Sequence, residues 1–346
     1  MITESPMLLE HPTTALPSLS LQHPLVTTRL NLNDQRRVLN FLTERALHNA
    51  VMAGLIYDNG IESKFNRGTF YGCQDATGKL AGVALIGHAI FIDARCDEAL
   101  LQFAKLAQQF SRAHMMMGEQ ELIERFWKHY ATNGQPSSRV CREILFELNQ
   151  QTAVGAAMDL RLAAVSDLDL VVPVHAAMAW EESGVNPLQV DPDGFRQRCR
   201  RRIEERRTWV LVDDNQLIFK ADVISDTCEV IYLEGIYVHP EHRCQGIGSK
   251  CLAQLNRTLL RRTKSISLLV NQERRKALLT SGSFRQNALQ LSLGFVPPKR
   301  CPLFPSPAVI ARQRVPPLSG PMTGSSGRSS NHQQCCGYWM PRIRGA

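Results

Sequence analysis

The chain has 346 residues, 44% of them hydrophobic and 21% charged, which is ordinary globular composition at a length that suggests two domains. Its net charge of +8 sits at one end: residues 299–346 hold seven basic and no acidic residues, so the rest of the chain is one charge from balance and gives little support to a nucleic-acid-binding body. The ten cysteines are scattered, with no C-x-x-C pair and no Cys/His grouping at zinc spacing, which argues against a structural metal site and for reduced thiols in a cytoplasmic protein.

Residues 1–24 are rich in Pro, Ser and Thr, lack a basic n-region and a long apolar core, and are expected to be disordered rather than a signal peptide. From Asn33 to Tyr57 the apolar residues Val38, Phe41, Leu42, Val51 and Leu55 recur at helical spacing. Thr69–Gln74 and Leu80–His88 read as strands joined by the turn Asp75–Lys79, and Ile90–Asp93 as a third short strand. Asp97–His114 and Gln120–His129 look helical, and Val140–Leu148 is strand-like.

The second half repeats this order. Asp159–Ala164 reads as a strand, after which Ser166 is expected to cap a helix running to about Trp180. That apolar stretch contains Asp169, Pro173 and His175 and is too short and polar to span a bilayer. Asp193–Arg207 reads as a basic helix with seven arginines from Arg196 onward, either a solvated surface face or the lining of an entrance for an acidic substrate. A three-strand meander follows over 208–212, 216–224 and 230–238. Then come a helix over Ile247–Arg261, a strand over Ser265–Asn271 and a helix ending near Leu293.

The most informative run is Leu233–Leu252. An apolar strand ends at Pro240, and the loop Arg243-Cys-Gln-Gly-Ile-Gly248 leads straight into a helical pattern. Unpaired amides at a helix start, together with the helix dipole, suit a phosphate there, and glycines let the backbone come close. The spacing is neither a P-loop nor a dinucleotide fingerprint. The ordered set of strand, Val238-x-Pro240, Arg243-x-x-Gly246-x-Gly248 and helix resembles the acetyl-coenzyme A loop of the GNAT superfamily of N-acetyltransferases.

That resemblance covers roughly Asp159 to Phe295. It implies an α/β fold (an α+β mixed sheet) splayed open where the loop-bearing strand and Ser265–Asn271 diverge, with the coenzyme in the split. The first half has a similar element order without the loop and resembles the degenerate N-terminal domain of bacterial proteins with two GNAT-like domains. The expected organisation is a degenerate domain over 25–150, an acetyltransferase domain over 157–304 and a disordered basic tail over 305–346, with Val296–Phe304 as a closing strand.

The resemblance also implies site residues. Ile236, Tyr237, Val238, Arg243, Cys244, Gln245, Gly246, Ile247, Gly248 and Ser249 would bind acetyl-coenzyme A, and a main-chain N–H near Ile236–Val238 would serve the oxyanion. Glu234 would be the general base. By strand alternation it shares a face with Ile236 and Val238, which argues for a special role or a partnered charge over a solvated glutamate. Asn271 either contacts the cofactor or caps the next helix. Family members often carry Leu-Tyr-x-x-x-Gly-Phe at the end of the following helix. Here Gln290 stands at the Tyr position, so Ser292 or water would protonate the thiolate, or it departs free, or catalysis is impaired. The expected reaction is acetyl transfer from acetyl-coenzyme A, without a metal, to a small-molecule or peptide amine. Neither nucleic acid nor membrane is expected as a partner, and a homodimer is compatible with the reading. The alternative is a non-catalytic acyl-coenzyme A sensor.

Overall fold

The computed structural model describes residues 24–110, 113–131, 137, 139–150, 157–271 and 285–294. The expectations for residues 1–23, for Val296–Phe304 and for the tail lie outside them. The first half comprises β1 (Val26–Arg29), α1 (Gln35–Thr43), α2 (Ala46–Asn59), β2 (Gly68–Gln74), β3 (Leu80–Gly87), β4 (Ala89–Ala94), α3 (Asp97–Ala107), β5 (Met115–Glu119), α4 (Gln120–Tyr130) and β6 (Arg139–Leu148). The second comprises β7 (Arg161–Leu162), α5 (Leu168–Ser183), α6 (Pro187–Val190), α7 (Pro192–Glu204), β8 (Thr208–Asp213), β9 (Gln216–Asp226), β10 (Val230–Val238), α8 (Ile247–Leu259), β11 (Ser265–Asn271) and β12 (Arg285–Gly294).

Local chemistry sets most of these boundaries. The Asp75 carboxylate accepts from the Thr77 and Lys79 amides at 2.9 and 3.0 Å, which turns β2 into β3. Asp214 and Asn215 take φ of 44° and 60°, the left-handed pair of a tight hairpin between β8 and β9. Several expectations are corrected. The helical run from Asn33 breaks at Glu44–Arg45, where Arg45 leaves the helix and pairs with Asp93 and Glu119. α3 ends at Ala107, well short of His114, and β5 follows; its Met-Met-Met-Gly-Glu sequence has neither alternation nor β-branching to announce a strand. The residue at the N-cap of α5 is Asp167 and not Ser166; its carboxylate accepts from the Ala164 amide at 2.7 Å and closes the short turn before the helix.

The largest correction concerns the run ending at Leu293. It is a strand, β12, and its Leu289, Leu291 and Leu293 alternating with Gln290 and Ser292 are a period of two. Gln290 therefore does not stand at a helix end, and the comparison with a helix-borne tyrosine lapses.

Each half forms a mixed sheet flanked by helices, and the two join into one 12-stranded sheet in the order β1-β2-β3-β4-β5-β12-β6-β11-β10-β9-β8-β7. The joint is an exchange. β12 of the second half pairs with β5 of the first, β6 of the first half pairs with β11 of the second, and β6 and β12 pair antiparallel with each other. The parallel pairs are β4·β5 and β10·β11, one in each half.

Helices cover both faces. α8 buries Cys251, Leu252, Leu255 and Leu259 on Leu233, Ile236, Val238 and Leu268. Each such apolar side chain contributes about 1.5–3 kcal/mol. α5 and α7 pack over β8 and β9 through Val171, Phe195, Cys199 and Val210. α1 and α2 share an apolar cluster with Leu145, Tyr232 and Leu269, so first-half helices also cover part of the second-half sheet.

Candidate active site

β10 and β11 run parallel in register from Val230↔Ser265 to Leu233↔Leu268, and their pairing stops there. β11 continues to Asn271 on the support of β6. β10 continues along β9 with a bulge between Glu234 and Tyr237, and Gly235 at the bulge has φ +60°. A Cβ there would lie 2.8 Å from Asp222 Oδ2 and 2.9 Å from Lys220 Nζ, so the position needs glycine on both counts.

The bulge corrects the expected face of Glu234. Leu233, Ile236 and Val238 all pack in the α8 cluster. The extra residue puts Glu234 on the opposite face, with Tyr232 and Leu269, which pack toward α2. Glu234 is only 3% exposed. Burial pushes its carboxyl well above the usual range. Tyr232, by hydrogen bond, and Arg202, by charge, oppose that shift, while Glu182 and Glu143 reinforce it. Its Oε2 meets no hydrogen-bond donor among the described residues.

Beside Glu234 across the ladder stands Asp222, the centre of a buried charged cluster. Asp222 pairs with Lys220, accepts from Thr208 Oγ1 at 2.8 Å and from Arg202 at 3.2 Å, and lies 3.6 Å from His175. Burial alone would raise its carboxyl, but Lys220 first, then Arg202 and His175, hold it well below the ordinary carboxylate range. Burial, with Lys220 and Arg202, keeps His175 well below the usual imidazole value, and so neutral. Lys220 also donates to the Gly235 carbonyl at 3.2 Å, which ties this cluster to the bulge. Sequence reasoning missed Lys220, Asp222 and His175. A Lys-x-Asp pair inside an otherwise apolar strand was the available signal.

At the other end of β10 the chain turns through Pro240–His242, and Arg243 is extended. Cys244 (φ +61°) and Gly246 (φ +76°) are left-handed, and Gly246 is the residue before α8. The Arg243 side chain donates to Val238 O at 3.1 Å, and Gln245 to Glu241 O at 2.8 Å, which fastens the turn to itself. The first bond of α8 runs from Lys250 N to Gly246 O at 3.0 Å, so the amides of Ile247, Gly248 and Ser249 have no partner within the helix. Cys244, Gln245 and Gly246 are exposed, and Ile247, Gly248 and Ser249 half-exposed. A Cβ on Gly248 would come within 2.9 Å of Val238 Cγ2, so helix and strand approach closely at this point. Ile236 and Val238 are buried beneath the turn and Tyr237 is half-exposed; its hydroxyl is raised by burial and lowered again by Arg243. The expected loop thus puts an exposed turn and three amides free of helix bonds at a helix start, with chemistry that fits a diphosphate.

Asn271 ends β11, and its amide donates to Cys141 Sγ at 3.4 Å. Its register partner Glu143, on β6, is an electrostatic neighbour of Glu234, so this β6 carboxylate is near both expected catalytic residues. In the arginine-rich helix Arg196, Arg200 and Arg201 are exposed and paired to Asp169, Glu204 and Glu205, while Arg202 turns inward to Asp222.

A family model for an acetyltransferase (GNAT) domain matches residues 204–297, which contain the bulge, the turn and α8. No curated protein matches the chain. Among solved structures, a GCN5-related N-acetyltransferase from Sphaerobacter thermophilus is similar in fold, with TM-score 0.51, 11% identity, 81% of this chain and 98% of that chain covered. A Drosophila protein aligns at TM-score 0.56 and 11% identity over 79% of this chain and 99% of its own. A tandem GNAT protein from the clavulanic acid biosynthesis pathway aligns at TM-score 0.49 and 14% identity over 80% of this chain and all of that one. Residues 204–297 thus match a GNAT acetyltransferase domain, and the α/β fold around them is similar to that of solved GNAT structures.

Proposed function

We propose that the chain is an acetyl-coenzyme A-dependent N-acetyltransferase, working in the cytoplasm, that moves an acetyl group directly to a primary amine. The observation that carries this reading is the path of β10. It parts from β11 one residue before a buried carboxylate with no donor on Oε2 among the described residues, and it ends in an exposed turn followed by helix-start amides that have no partner within the helix.

Acetyl-coenzyme A would supply a thioester carbonyl, held by its diphosphate on the amides from Cys244 to Ser249. Glu234, with its proton affinity raised by burial, takes the proton of the incoming amine. The bulge leaves Gly235 and Ile236 without register partners on β9, and the Ile236 main-chain N–H would donate to the carbonyl oxygen as charge develops. The N–C bond forms, the C–S bond breaks, and the proton held by Glu234 returns to the departing sulfur through water.

The test is calorimetry with acetyl-coenzyme A, paired with thiol release over a panel of amines. Gly248→Val should abolish binding, because the added side chain meets Val238 and displaces the turn. Equal affinity in the variant would remove the coenzyme site. Binding without thiol release for any amine would favour the sensor alternative.

A further inference from the structure

A second cleft, of about 640 Å³, opens between the end of α2 and α7. Its floor includes Ile224, which lies on β9 two residues from Asp222, and Asp222 is the register partner of Glu234. At ~3.3 Å per strand residue and ~4.8 Å between strands, the cleft reaches to within about 8–10 Å of the Glu234 backbone.

Its walls are strongly basic. Arg198, Arg200, Arg201, Arg202 and Arg207 all border it, and each has a carboxylate partner: Asp191, Glu204, Glu205, Asp222 and Asp58 respectively. Those pairs account for every acidic residue of the lining. Arg67 and Lys64 remain, and among the described residues neither has a carboxylate partner. Lys64 is exposed and lies over the Phe65 ring, while Arg67 is half-buried.

Arg67 is also held in place. Its φ of +53° is a left-handed conformation that non-glycine residues rarely take. Its backbone is fixed on both sides, by its N–H to Lys64 O at 3.2 Å and by its carbonyl accepting from His88 N at 3.0 Å. Burial and the charge of Arg198 both act against its cation. A strained, partly desolvated arginine without an anion is a site lacking its ligand's charge rather than a structural ion pair.

We infer that this cleft receives the anionic group of the acceptor, so that the substrate is an amine that also carries a carboxylate or a phosphate, with Arg67 as its ion partner. The inference rests on the acetyltransferase reading for the amine end and on the cleft alone for the anion. Electrostatic complementarity here selects the acceptor and leaves the coenzyme turn, at the far end of β10, uninvolved.

The experiment uses the full chain and matched acceptor pairs: an amino acid against its amide, and phosphoethanolamine against ethanolamine. Thiol release should favour the anionic member of one pair at least 10-fold, and which pair does so separates carboxylate from phosphate. Arg67→Asn tolerates the left-handed backbone and removes the guanidinium. It should cut that preference by about 10- to 100-fold, and Arg67→Lys should restore part of it. Equal rates for both members in the native chain, or a preference untouched by Arg67→Asn, would overturn the inference. If no amine is acetylated, calorimetry with glutarate and with inorganic phosphate decides separately. Binding to the native chain that Arg67→Asn abolishes supports the cleft even as the transfer reading fails, and no binding of either anion refutes it.

Discussion

Lys220 offers a way to disturb the proposed catalytic face without touching substrate. Its side chain is 1% exposed, pairs with Asp222 and donates to the Gly235 carbonyl at 3.2 Å. Lys220→Met keeps the aliphatic stem and deletes the charge. Breaking a fully buried pair by removing one partner costs about 3–5 kcal/mol, because the remaining charge is stranded. Asp222 is not stranded completely: Thr208 at 2.8 Å and Arg202 at 3.2 Å still donate to it. We therefore expect the lower end of that range, about 3 kcal/mol, which is more than a 100-fold shift in the unfolding equilibrium.

The pH dependence gives an independent sign. Asp222 has a depressed carboxyl in the fold, so it contributes stability that is present above its unfolded value near 4 and is lost as pH falls through the folded value. Without Lys220 the folded value rises toward the unfolded one, the contribution shrinks, and acid unfolding begins at higher pH. Urea unfolding at neutral pH and an acid titration followed by circular dichroism measure both. A loss below about 1 kcal/mol with an unmoved acid midpoint would show that Lys220 is not the chief partner of Asp222. The bulge gives a third readout: with the Gly235 carbonyl released, turnover should fall while acetyl-coenzyme A affinity changes little.

Three further perturbations follow from the geometry. Glu234→Gln should remove the acidic limb of the kcat/KM profile. Because the folded carboxyl is raised, its ionisation costs stability as pH rises through that value, so the variant should also be more stable above it, by about 1–2 kcal/mol in denaturant unfolding; an unchanged pH profile would dismiss Glu234 as the base. Cys244→Gly should relieve a left-handed non-glycine residue, with a gain of up to about 1 kcal/mol and intact coenzyme affinity by calorimetry; a loss of stability would show that the thiol side chain packs usefully. Ending the chain before Arg285 removes β12, and hydrogen exchange should then quicken in β5 of the first half as well as in β6; protection retained in β5 would mean the exchanged strand is dispensable.

The turn was legible in the sequence because its chemistry is local. Glycine spacing, a terminating proline and a following amphipathic helix all act within a few residues, and the structure places them together as the spacing predicts. Hairpins announced by Asp75–Lys79 and Asp213–Asn215 were legible for the same reason. What escaped notice depends on distant partners. The bulge at Gly235 reverses the face of Glu234, and it is fixed by Lys220 and Asp222 from the neighbouring strand. β12 reads as a helix only by its likeness to the family motif, whereas its own leucines display the two-residue period of a strand. The exchange of β6 and β12 leaves no mark on either strand, since an antiparallel neighbour from one half satisfies a ladder as well as one from the other.

The two halves make the difference between scaffold and site explicit. Counted from the first paired residues of the parallel strands, Ala89↔Met115 and Val230↔Ser265, Asp93 takes the position in the first half that Glu234 takes in the second. Both carboxylates are buried. Asp93 is met by Arg45 at 2.9 Å, by Arg95 at 2.7 Å and by the Asn49 amide at 2.6 Å. Glu234 has Tyr232 and otherwise acidic neighbours, with Arg202 engaged on Asp222. The helix that follows Asp93 opens with Asp97 and Glu98 where the other opens after Gly246, and two acids at a helix start repel a diphosphate that bare amides attract. One fold position therefore yields a salt-bridged structural acid in the first half and the proposed proton acceptor in the second, and the deciding quantity is how many cations reach the carboxylate.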